Sequence, residues 1–115
     1  MKNQEFIEAI KLVVLEGSIK AVESNLESPA GRNPSNKLKE LSAWYKNLDC
    51  DNKEMVSKII RECMDTSVFI FCCVLDGVTA IEGYGEKGVL KLYYEKNGKS
   101  VLLNDPNETE LHDLL

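Results

Sequence analysis

Between Met55 and Met64 the apolar residues Met55, Val56, Ile59, Ile60, Cys63 and Met64 recur at three- and four-residue spacing, and from Val68 to Leu75 eight consecutive residues are apolar. The first pattern is that of an amphipathic helix. Asp51, with Glu54 three residues later, predicts where it starts, since the two side chains satisfy two of the four N–H groups that a helix end leaves unpaired. No breaker separates the periodic stretch from the apolar run, so one long helix through both is the preferred reading. Gly77 and Val78 would close it as a glycine terminus with an apolar residue folding back. The rival reading makes residues 68–75 a strand with a hairpin turn at Asp76 and Gly77, because the run is rich in β-branched and aromatic residues. In either reading the run is expected to be the buried spine of the fold, with Phe71 inside it.

Upstream, Phe6, Ile10, Val13, Val14, Ala21 and Val22 predict a first helix that starts after Asn3 and runs to about Glu23 or Leu26, with Gly17 marking a bend or a close approach. The tract 27–36, ESPAGRNPSN, is a loop by its prolines, glycine and cap-forming side chains. A second helix follows Asn33 or Ser35 as cap, with Leu38, Leu41, Trp44, Tyr45 and Leu48 on its inner stripe. Downstream, Asn97 and Gly98 supply a type I′ turn that pairs Lys96 with Lys99, Tyr94 with Val101 and Leu92 with Leu103. Leu90, Leu92, Tyr94, Val101 and Leu103 then face the core, and Lys91, Tyr93, Glu95, Ser100 and Leu102 face away. A lone hairpin is marginal, which predicts a third strand over Val78 to Glu82. Asp105 as cap, Pro106 and Glu108 predict a short last helix that docks Leu111, Leu114 and Leu115.

These elements make one α+β domain over residues 1–115: three helices packed on a two- or three-stranded antiparallel sheet, with a short C-terminal helix. A compact chain of this length has a radius of gyration of roughly 13–14 Å.

Composition, 43% apolar and 29% charged, is that of a folded globular chain. The net charge of −5 lies in the second half, where residues 59–115 carry five basic and ten acidic side chains against nine of each before them. No basic patch is available to neutralise phosphates, so a nucleic-acid partner is not expected. No apolar run approaches the roughly 20 residues that cross a bilayer, and the N-terminus reads as an amphipathic helix rather than a signal peptide, which points to the cytoplasm and away from membranes. There, Cys50, Cys63, Cys72 and Cys73 are expected to remain thiols. Adjacent helical residues point about 100° apart, so Cys72 and Cys73 do not chelate one ion, and no metal or other cofactor is implied.

Gly83, Gly85 and Gly88 match GxGxxG literally, but a strand rather than a helix follows them, so a flexible connection explains them better than a nucleotide site. His112 is the only histidine and lies near the chain end, where a surface position is expected. Cys50 sits between Asp49 and Asp51, the reverse of the electropositive surroundings that activate a thiol. No catalytic set is recognisable. Tyr93, with Lys91 and Glu95 beside it on the outer hairpin face and Tyr84 in the preceding loop, is the candidate partner-binding surface, because tyrosine buries area at low entropic cost. The competing expectation is that the last helix covers this face. Arg32, in the loop before the second helix, is a candidate anion-binding residue, with pairing to Glu27 as the alternative.

The strings GRNPSNKLKELSAWY, VFIFCCVLDGV and LYYEKNGKSVLLNDPNETELHDLL resemble segments of small bacterial proteins of uncharacterised function. The resemblance covers most of the chain from Gly31 onward and implies a bacterial, intracellular accessory protein without implying an activity. The expected function is that of a non-enzymatic protein-interaction module, in the manner of immunity, antitoxin-like or regulatory accessory proteins, with a protein partner or a homodimer paired through its hairpins. The alternative is a small-ligand binder or minor enzyme with its site between the central helix and the sheet.

Overall fold

Glu5 accepts the N–H of Lys2 at 3.0 Å, and from there the first helix, α1, runs through residues 3–27 in three pieces: α-helical Asn3–Ile10, π-helical Lys11–Glu16 and α-helical Gly17–Glu27. The structure, a computed structural model, describes all 115 residues. The π turn inserts a residue and rotates the downstream face by about 100°. The inward positions are therefore Ile7, Ile19 and Leu26. An unbroken helical count selects Val13, Val14, Ala21 and Val22 instead; Val13 and its neighbour Leu12 are 70% and 71% exposed.

Helix α2, Asn36–Lys46, begins where Ser35 Oγ accepts the Leu38 N–H at 3.2 Å. It turns Ser42 and Tyr45 inward while Leu41 and Trp44 stay exposed, so only part of the expected stripe is covered. Ser42 Oγ donates to the Leu26 carbonyl at 2.8 Å, which satisfies one of the acceptors orphaned at the end of α1.

Helix α3, Cys50–Leu75, is capped by Asp49, whose carboxylate accepts the Asn52 N–H at 2.8 Å. The cap lies two residues before the expected Asp51, and Glu54 pairs with Lys58 at 3.9 Å instead of reaching back. The apolar run 68–75 is helical. At its end Gly77 takes φ +78°, the Val78 N–H donates to the Cys73 carbonyl at 2.9 Å and the Gly77 N–H to Val74 at 3.2 Å, the paired bonds of a glycine-terminated helix. The run is not a uniform spine, however. Cys72 and Cys73 are buried, but Phe69, Ile70 and Phe71 are 45%, 49% and 62% exposed.

No third strand forms over Val78 to Glu82. That stretch closes on its own loop, where Glu82 accepts the Gly88 N–H at 2.8 Å. The sheet is the two-stranded antiparallel hairpin of β1, Tyr93–Lys96, and β2, Lys99–Leu102, in the expected register with Asn97 and Gly98 both at positive φ. Leu92, Tyr94 and Val101 are half-buried and Leu103 is buried, whereas Leu90 is exposed. Asn104 fastens the hairpin to α3: its amide nitrogen donates to the Leu75 carbonyl at 2.6 Å and to Leu90 at 2.9 Å, and its oxygen accepts the Leu92 N–H at 2.9 Å.

Asp105 and Pro106 do not open a helix. Asp105 instead holds a local turn by accepting the Asn107 N–H, and a 3₁₀ turn follows at Leu111–Leu114. Leu111, fully buried, meets Ile7 and Cys72 in the centre of the core, with Phe6, Val68, Leu75, Leu114 and Leu115 around them. No helix is long and apolar enough to cross a membrane.

Candidate functional site

The one convergence of titratable groups joins the end of α3 to the chain terminus. Asp76, its side chain 2% exposed, accepts the Leu111 N–H at 3.2 Å, the His112 N–H at 2.9 Å and the His112 ring at Nδ1, 2.8 Å away. The imidazole stands edge-on to Phe69, with centroids 5.8 Å apart, and its Nε2 lies 3.4 Å from both Glu110 and Asp113. The hydrogen bond to Asp76 raises the His112 pKa above its ordinary value; burial opposes this, and the negative charges of Asp113, Asp76 and Glu110 reinforce it. His112 is thus largely buried rather than a surface residue. The sequence carries no local sign of the pairing, because its partners are 36 residues apart.

Oxygens of Asp76 and Glu110 and a ring nitrogen of His112 lie within 4.8 Å of one another, the one set of side chains with the geometry to hold a metal ion. Asp76 is already occupied by three donors that fold the terminus down, so the arrangement reads as a clamp. Two thiols neighbour the clamp: burial and the Asp76 charge push the Cys72 pKa up to about 11, and burial followed by the charges of Asp76, Asp113 and Glu110 raises that of Cys73, both of which oppose thiolate chemistry.

The residues singled out in the sequence are dispersed. Lys91, Tyr93 and Glu95 share the outer hairpin face, exposed, with Tyr93 at 51%, and the terminal turn packs on α1 and α3 rather than over them. Tyr84 is 98% exposed in its loop. Arg32 is exposed and forms neither the Glu27 ion pair nor any other. A cleft of about 420 Å³ lies between the end of α3 and the loop after it, walled by Leu75, Ile81 and Leu90 with Asp76, Thr79, Glu82, Lys87 and Asn104 as its polar side chains.

The larger feature is apolar surface left uncovered. The chain exposes 8578 Å², whereas a compact monomer of 12.9 kDa exposes about 6,300 Å². Its radius of gyration is 18.3 Å against the roughly 13 Å expected of a compact chain, and only nine of 115 residues are buried. Helix α3 carries five of the seventeen large hydrophobic residues left exposed, Met55, Ile59, Phe69, Ile70 and Phe71. One side packs antiparallel along α1, tied by the Arg61–Glu16 ion pair at 2.8 and 3.1 Å. Along the opposite side Met55, Ile59, Cys63, Thr66 and Ile70 are all exposed, and at 100° per residue they fall within a stripe about 80° wide. A second apolar surface, a groove of about 290 Å³, runs along the α1–α3 seam between Phe6, Ile10, Val14, Met64, Val68 and Phe71.

Comparison of the chain with protein-family models, with curated proteins and with solved structures finds no match.

Proposed function

We propose that this chain is a non-enzymatic protein-interaction module of the bacterial cytoplasm, of the immunity, antitoxin-like or regulatory accessory type, and that its working surface is the outer side of α3. The observation that carries this reading is the stripe of exposed side chains, Met55, Ile59, Cys63, Thr66 and Ile70, along the side of α3 turned away from α1, on a chain that exposes about 2,300 Å² more than a compact monomer. Large apolar side chains grouped on one exposed helix face mark a site of association. The outer hairpin face, with Tyr93 between Lys91 and Glu95, offers a second, smaller contact.

The size of the native species in an extract of producing cells tests this directly. The parent chain should elute from gel filtration well above the 12.9 kDa of one chain, and Ile59→Glu, which charges an already exposed position, should elute as a single chain with its helical content intact. A parent that elutes as a single chain contradicts the proposal.

The cleft at the end of α3 supports a second reading, that of a small-ligand binder. A thermal-shift screen addresses it, since a ligand at 100 times its dissociation constant stabilises by about 2.7 kcal/mol.

A further inference from the structure

We infer that the imidazole of His112, through Nε2, and the carboxylates of Glu110 and Asp113 form a binding site for zinc(II). The first observation is how the ring is held. Asp76, its side chain 2% exposed, stands 2.8 Å from Nδ1 and accepts the backbone N–H groups of Leu111 and His112 as well. In the neutral ring the Nδ1 proton is donated to that carboxylate, which leaves the lone pair on Nε2. Metal-binding histidines are held in this way, because a carboxylate behind the ring orients it and makes the free nitrogen a better donor.

The second observation is what Nε2 faces. Glu110 Oε2 and Asp113 Oδ1 each stand 3.4 Å from it. Both separations are longer than the roughly 2.7–3.2 Å of an N–H···O hydrogen bond. They match the edge of a coordination tetrahedron, since donor atoms about 2.0–2.2 Å from one zinc ion lie roughly 3.3–3.6 Å from each other.

The third is charge. No lysine or arginine pairs with Asp76, Glu110 or Asp113, so the imidazole is the one cationic group among three carboxylates. A protonated ring leaves two of those charges uncompensated, whereas a neutral ring with a dication leaves one. The ion thus takes the place of the proton on Nε2 and neutralises more of the cluster. An imidazole nitrogen among the donors favours zinc over magnesium and calcium, which are bound through oxygen. Three protein donors leave a fourth position to water. Glu110, His112 and Asp113 all belong to the terminal turn, and Nε2 faces the two carboxylates while Asp76 holds Nδ1, so the ion stabilises the docked turn by mass action.

Calorimetric titration of the chelator-treated full-length chain with zinc chloride at neutral pH is the test, with a melting curve of each variant recorded in chelator. The expected result is saturation at one ion per chain. Glu110→Gln and Asp113→Asn, at side chains 43% and 63% exposed, should each weaken binding at least about tenfold and leave the metal-free melting temperature nearly unchanged. Replacing Cys50 and Cys63, the two exposed thiols, by serine should leave the affinity as it is. Absence of saturable zinc binding overturns the inference. So does binding that keeps its affinity in Glu110→Gln and Asp113→Asn, and so does binding that is lost with the two thiols, which places the ion on cysteine instead.

Discussion

Asp76 and His112 meet at 2.8 Å, so that the residue closing the longest helix also holds the last turn of the chain against the core. The pairing carries a pH dependence of defined sign. Because the folded pKa of His112 is raised, the protonated ring is favoured in the fold, and the stabilisation is fully present below the unfolded value near 6.5 and is lost as pH rises through the folded value. Nuclear magnetic resonance titration of the imidazole should give a midpoint above 6.5. The stability advantage of the parent over His112→Gln should shrink across the same interval. A midpoint at or below the ordinary value contradicts the clamp.

Removing the acid is expected to cost more than removing the base. Asp76→Ala leaves the Leu111 and His112 N–H groups and the imidazole without their acceptor, and should destabilise by about 3 kcal/mol in chemical denaturation. A loss below about 1 kcal/mol would mean that water replaces the carboxylate at little cost.

The apolar run after Val68 reads as uniform in sequence and is divided in the structure. Leu111→Ala, at a fully buried position, should cost about 2–5 kcal/mol. Phe71→Ala should cost less than about 1 kcal/mol in the isolated chain, because its ring is 62% exposed. Equal effects of the two substitutions would place Phe71 in the core.

Asn104 makes three hydrogen bonds that no other single residue type reproduces. Replacement by Asp turns two donated bonds into contacts between a carboxylate and the carbonyls of Leu75 and Leu90. Asn104→Asp should therefore be at least as damaging as Asn104→Ala, by about 2–3 kcal/mol, while Asn104→Ala, which removes the acceptor of the Leu92 N–H, should also speed exchange of that amide. Unchanged exchange at Leu92 would detach the hairpin's position from Asn104.

Local rules made the elements legible and distant contacts decided the rest. The Asn97–Gly98 turn and strand alternation were enough for the register of Tyr94 with Val101, and Gly77 for the end of α3. The π turn at Lys11–Glu16 was not readable, since Leu12, Val13 and Val14 fit an ordinary helix and only packing selects the inserted residue. Asp49 and Asp51 are equivalent as caps by residue type, and the chain uses the earlier. The third strand failed because nothing in Val78 to Glu82 outweighs the loop that Glu82 closes on Gly88. The candidate surface lay hidden for a related reason: apolar periodicity marks a residue as one that is covered, without saying whether its own chain or another does the covering.

The central claim is that the outer side of α3 is covered in the working protein, and the relative reactivity of two thiols measures it most directly. Cys50 and Cys63 are both exposed on the single chain, the first at the start of α3 and the second at the midpoint of its apolar stripe. With a maleimide added to intact producing cells, the account predicts that Cys50 labels at close to its rate in denaturant while Cys63 labels at least about tenfold more slowly, and that Ile59→Glu restores Cys63 to the rate of Cys50. Equal and rapid labelling of both thiols in the parent would show that the face stands bare, and would contradict the account.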